Sequence, residues 1–150
     1  MQTTEVPQVQ VSVRPMVEAD RPFVFATWLN HGVSSSSFGR AVGRDAYMRS
    51  VHRVIERLLD SPDTHVLVAT PVGSDDILGF LACGAWNASA TWPAVHFAFV
   101  KKFARGHGVF RALLAAGGIE PNECVWTFPT DAAQWVKPKW PGAEVLSLFS

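Results

Sequence analysis

The chain has 150 residues, 48% hydrophobic and 17% charged, with 13 Lys and Arg balanced by 13 Asp and Glu. That length suits one folding unit spanning 1–150, and that apolar share supports a core and argues against disorder. A net charge of +0 gives no support for nucleic-acid binding or for adhesion to a membrane surface.

No stretch approaches the roughly 18 apolar residues of a membrane span, and no basic-led apolar segment opens the chain. Cys83 and Cys124 lie in apolar contexts and form no CxxC pair, so neither a zinc site nor a disulfide framework is expected. Both read as buried, reduced thiols, and the expected setting is cytoplasmic.

In chain order, residues 1–9 read as a flexible polar tail. Val9, Val11 and Val13 then alternate with Gln10 and Ser12, the period-2 pattern of a half-buried strand. Asp20 is placed to cap a helix with Pro22 in its first turn. That helix carries Phe23, Phe25, Ala26, Trp28 and Leu29 and is expected to stop near Gly32. Residues 31–43, with four consecutive serines, read as a loop. Tyr47, Val51, Val54 and Leu58 recur at helical spacing, widened by Ile55 and Leu59, between a capping Asp45 and Pro62. Residues 65–70 and 77–86 form a predicted hairpin around a turn at 71–75. Further strands are expected at 94–100, 124–128 and 143–149, with a helical turn at 131–136. Between them, a glycine turn at 105–108 leads into a short helix at 109–116, ended by Gly117 and Gly118. The sum is an α/β (α+β) domain: a mixed, mostly antiparallel sheet with helices on both faces.

Chemistry concentrates in residues 95–114, which run from strand through glycine turn into helix. Amides at a helix start lack partners within the helix, and the helix dipole favours negative charge there. Glycines let a phosphate approach the backbone. An ordinary strand-to-helix connection satisfies the same spacing. What raises the segment above that reading is its register: Val100 precedes Arg105 by five residues, and Gly108 follows in an R-x-x-G pattern.

This segment resembles the coenzyme A motif of the GNAT acetyltransferase superfamily. Val13-Arg14-Pro15 with Glu18-Ala19-Asp20, and Ile77-Leu78-Gly79-Phe80, resemble the superfamily's opening strand and helix and its third strand. The resemblance implies acetyl-CoA as co-substrate, no metal, and a small-molecule or protein amine as acceptor. Nucleic acid and membrane are not expected as partners, and a homodimer is left open. It also implies that backbone groups of Phe99 and Val100 face the pantetheine arm and the acetyl carbonyl. Amides of Arg105, Gly106, His107, Gly108, Val109 and Phe110 would cradle the pyrophosphate. In such sites hydrogen bonds to the thioester oxygen stabilise the charge that develops on attack. Lys101, Lys102 and Arg111 would reach outer phosphates or stay solvated. His96 matches a histidine that in arylalkylamine-type relatives takes the amine's proton through water, or else it packs in the sheet.

Three positions depart from the family pattern. Phe110 stands where a small residue is usual, so its ring either enters the core or crowds the cofactor. Trp135 stands where many relatives have a tyrosine acid, and an indole cannot act as an acid near neutral pH. Phe128 lies where an asparagine is common. No cysteine sits as a nucleophile beside a base, which favours direct attack. Phe25, Trp28, Phe38, Trp86 and Trp92 would either shape an acceptor pocket or pack in the core. The alternative is a GNAT-fold binding or structural module without turnover, resembling small GNAT-like proteins of tailed bacteriophages.

Overall fold

The computed structural model describes residues 10–35, 43–85, 92–127 and 139–145. Strand β1 (Val11–Pro15) leads through a 3-10 turn (Glu18–Asp20) into helix α1 (Arg21–Ser35). Helix α2 (Arg44–Asp60) is followed by β2 (Thr64–Pro71), β3 (Gly79–Ala85) and β4 (Pro93–Val100). A second 3-10 turn (Lys102–Ala104) precedes α3 (Val109–Ala116), then β5 (Val125–Trp126) and β6 (Glu144–Val145). Among the described residues, no helix is long and apolar enough to cross a membrane.

Among the described residues, six strands lie side by side in chain order. The pairs from β1 to β4 are antiparallel, which short connections allow. The pairs β4–β5 and β5–β6 are parallel, and the crossover that β4–β5 requires is supplied by α3. The expected mixed, mostly antiparallel sheet with helices on both faces is therefore the observed one.

Alternation along the strands sorts side chains into two cores. On one face Val66, Val68, Phe80, Ala82 and Phe97 pack with Val24 and Trp28 of α1 and Val51 and Ile55 of α2. Trp28 is fully buried and stacked on Phe97, with ring centroids 5.5 Å apart. On the other face Ala69, Leu81, Cys83, Val95 and Trp126 pack with Val109, Leu113 and Leu114 of α3. Burial of apolar area on both faces drives assembly of the three layers.

Three local expectations change. Asp45 does not cap α2, whose N-cap is Gly43, and lies inside its first turn. Asp20 does not cap α1. Its carboxylate accepts two hydrogen bonds from the Arg14 guanidinium, at 2.6 and 3.2 Å, and one from the Val17 amide at 2.9 Å. The Arg14 hydrogen bond is the main reason its pKa is held below the ordinary value of 3.8. Helix α1 also runs through Gly32 to Ser35. A glycine inside a helix costs only about 1 kcal/mol, which the packing of Val24 and Trp28 on the sheet outweighs. The 3-10 turn after β4 was not expected from the sequence. The strands at 124–128 and 143–149 are described only at Val125–Trp126 and Glu144–Val145. The helical turn expected at 131–136, Phe128 and Trp135 lie outside the described residues, as do Phe38 and Trp86.

Candidate active site at the end of the fourth strand

Strand β4 is eight residues long, but β5 pairs only with its first half. Ala94 stands opposite Val125 and Val95 opposite Trp126, and the Thr127 amide donates to the Val95 carbonyl at 3.0 Å. From 96 to 100, β4 keeps β3 on one side and meets no paired strand on the other among the described residues.

His96 follows the last β4 residue that has a described β5 partner. Ala82 of β3 faces Phe97 and Cys83 faces Val95, so His96 is the extra residue of a bulge and has no β3 partner. Bulges of this kind re-aim a side chain and increase local twist. The imidazole is 4% exposed, and its Nδ1 shares a 2.6 Å hydrogen bond with Oγ1 of the fully buried Thr127. Burial lowers its pKa from the ordinary 6.5 to about 4, so the ring is neutral at pH 7. Thr127 was not singled out from sequence. The only available sign was that a strand near 124–128 would lie beside 94–100.

Past Val100 the chain turns sharply. The Lys101 amide bonds to the Leu78 carbonyl at 2.8 Å, and the Ala104 amide to the Lys101 carbonyl at 2.9 Å. Arg105 then folds back, its Nε donating to the Val100 carbonyl at 3.1 Å. The five-residue interval between Val100 and Arg105 thus closes a loop, and the guanidinium braces the strand end. This bond also engages a Val100 backbone group that the motif assigns to the pantetheine arm.

Gly106 and Gly108 hold φ values of +83° and +82°, which side-chain-bearing residues rarely adopt. Neither has any atom within 4 Å of where a Cβ would stand, so the turn is open to solvent. Gly108 is the N-cap of α3, and the first amide bonded back into the helix is that of Ala112, to the Gly108 carbonyl at 3.0 Å. The amides of Val109, Phe110 and Arg111 precede that first bond and have no acceptor within the helix. Val109 points into the core at 2% exposure, while His107 is half-buried within the turn.

Phe110 takes the inward of its two options. Its ring lies 6.3 Å from Trp126 and 5.7 Å from Trp140, packed against the α3-side core. It does not lie over the glycines.

The segment itself is basic. No Asp or Glu stands between Asp76 and Glu120, whereas Lys101, Lys102, Arg105 and Arg111 all fall in that interval. The balanced overall charge hides this local excess. Lys102, Arg105 and Arg111 are exposed, while Lys101 lies with its Nζ 5.4 Å from the centre of the Phe23 ring. Phe99 sits on the α1 side, its ring 5.0 Å from His31 and 6.3 Å from Phe23.

Other residues considered from sequence lie elsewhere. Trp28 is core, and Phe25 packs edge-on to His52 at 4.7 Å on the helical layer. Both cysteines are buried, and desolvation is the main cause that pushes Cys124 up to about 11. Such a thiol is a poor nucleophile.

No protein-family model matches the chain, and no curated protein matches it in sequence. Solved structures do. An inferred acetyltransferase from Bacillus subtilis aligns with a TM-score of 0.65 at 16% identity, over 87% of this chain and 90% of that one. An inferred acetyl transferase from Pyrococcus furiosus aligns with a TM-score of 0.62 at 18% identity, over 87% and 91% of the two chains. A histone acetyltransferase-related protein from Corynebacterium glutamicum gives 0.52 at 16% identity, over 71% and 69%. Identities this low speak for architecture alone, and the architecture of this chain is the one those acetyltransferase structures share.

Proposed function

We propose that the protein transfers an acetyl group from acetyl-CoA to an amine by direct attack. The observation that carries this reading is the turn at 105–108. It combines two open glycines of positive φ, free amides at the start of α3, and a Phe110 ring turned away. A diphosphate fits such a cradle because it meets convergent N–H groups and a helix dipole of favourable sign. The run of basic residues without acids adds attraction for an anionic donor.

In this reading the amine nitrogen attacks the thioester carbonyl carbon. The carbon–sulfur bond breaks, the acylated nitrogen gives up its extra proton to solvent, and the coenzyme leaves as a thiolate that takes a proton from solvent. The ammonium must first lose its own proton. His96 serves this step if its Nδ1–H donates to Thr127 Oγ1, which leaves the Nε2 lone pair free to accept through a water. A histidine near 4 is unprotonated throughout the neutral range. The pH–rate profile then lacks the inflection near 6.5 that an ordinary imidazole base produces.

The test begins with unfolding in the presence and absence of acetyl-CoA. A ligand at a hundredfold excess over its dissociation constant, binding only the folded chain, adds roughly 2.7 kcal/mol. Thiol release on incubation with a panel of amines then reports transfer. Stabilisation without thiol release for any amine would identify a binding module. Absence of both stabilisation and calorimetric heat would remove the donor assignment itself.

A further inference from the structure

Phe103 is 73% exposed, the highest value among the exposed large hydrophobic side chains of the described residues. Its ring is not on a loose loop. It stands on the 3-10 turn Lys102–Ala104, whose next residue, Ala104, is anchored at 5% exposure in the α3-side core. The Ala104 and Arg105 amides bond back to the Lys101 and Lys102 carbonyls at 2.9 and 3.3 Å. An apolar ring in water gains nothing for the fold, yet this one stands outward on a hydrogen-bonded turn.

Its neighbours point to what would cover it. Phe103 precedes Gly106 by three residues, so it lies at most about 11 Å along the chain from the open glycine turn. Exposed Lys102 and Arg105 flank it, within the acid-free interval from Asp76 to Glu120. A flat apolar face three residues from an open glycine turn and flanked by cations matches a ligand with a planar base, one ribose away from a diphosphate. We propose that Phe103 is the stacking platform for the adenine ring of the donor, with Lys102 meeting the phosphate carried on that ribose. This rests on the donor reading above and assigns the nucleotide end of the ligand to a named side chain.

Calorimetric titration with two probes tests it: acetyl-CoA, and S-acetyl-4′-phosphopantetheine, which lacks the whole 3′-phosphoadenylate half and so keeps one phosphate of the diphosphate. Removing one base–aromatic stack weakens binding by about tenfold or more. Phe103→Ala and Phe103→Leu are therefore expected to lose about tenfold in acetyl-CoA affinity and to bind the truncated probe as the native chain does. Phe103→Trp, which keeps a stacking face, restores acetyl-CoA affinity. Unchanged acetyl-CoA affinity in Phe103→Ala overturns the platform while leaving the donor reading intact. Equal weakening for both probes also overturns it, since the ring would then merely shape the turn. Failure of the native chain to bind either probe sinks the donor reading, and the platform with it. If the native chain dimerises and Phe103→Ala does not, with donor affinity preserved, the ring is a self-association surface instead.

Discussion

Acid should unfold this protein through His96 before it does so through the carboxylates. The imidazole is 4% exposed and its pKa falls from the ordinary 6.5 to about 4 on burial. As pH drops through 6.5 the unfolded chain takes up a proton that the folded chain refuses. Stability present above that pH is therefore lost progressively toward pH 4. Each unit of separation is worth about 1.4 kcal/mol, so lowering pH from 7.5 to 4.5 removes about 2.5 kcal/mol through this one group. That is a large fraction of the roughly 5–15 kcal/mol that holds a domain together. Asp20 pulls in the same direction, but its pKa is lowered from 3.8 by Arg14, so its contribution disappears only at lower pH.

Urea unfolding at pH 7.5, 5.5 and 4.5, comparing the native chain with His96→Asn, isolates the effect. Asparagine can keep a hydrogen bond to Thr127 and does not titrate. The native chain is expected to lose about 2.5 kcal/mol more than the variant between pH 7.5 and 4.5. Parallel losses in the two proteins would refute the reasoning, because they would mean that the histidine is as easily protonated folded as unfolded.

Two other substitutions or treatments bear on the same region. Gly79→Ala places a Cβ against the backbone carbonyl of Phe99, forcing β3 and β4 apart beside the proposed site. A loss of about 1–3 kcal/mol is expected from urea midpoints, and an unchanged midpoint would mean that the two strands are not so closely paired there. Cys124, 1% exposed and raised to about 11, is expected to resist a thiol-modifying reagent at pH 8 until the chain unfolds. Stoichiometric modification of the folded protein at the rate of a free thiol would contradict that burial.

What the sequence made legible follows from what decides each feature. Helix α2 was expected from Asp45 to just before Pro62 and spans Arg44–Asp60, because a periodic apolar stripe is a local property. Helix α3 matches its expected 109–116, since glycines bound it on both sides. Asp20 failed as a cap because a partner six residues upstream, Arg14, offers its carboxylate a two-pronged ion pair, which short-range rules do not weigh. His96 was identifiable as a histidine on the central strand. Its bulge and its bond to Thr127, 31 residues away, arise from strand pairing that no local pattern encodes.

Phe110 shows why a departure from a motif need not be a loss. Positive φ, the condition that truly demands glycine, occurs in the turn only at 106 and 108, and both residues there are glycine. Position 110 lies inside α3, where any side chain has the right backbone and only space matters. The space is found between Trp126 and Trp140, residues far along the chain that receive the ring under the helix. A bulky residue at 110 and large aromatics at 126 and 140 are therefore one packing arrangement. The open turn depends on the backbone at 106 and 108, where that arrangement leaves the space beside both glycines clear.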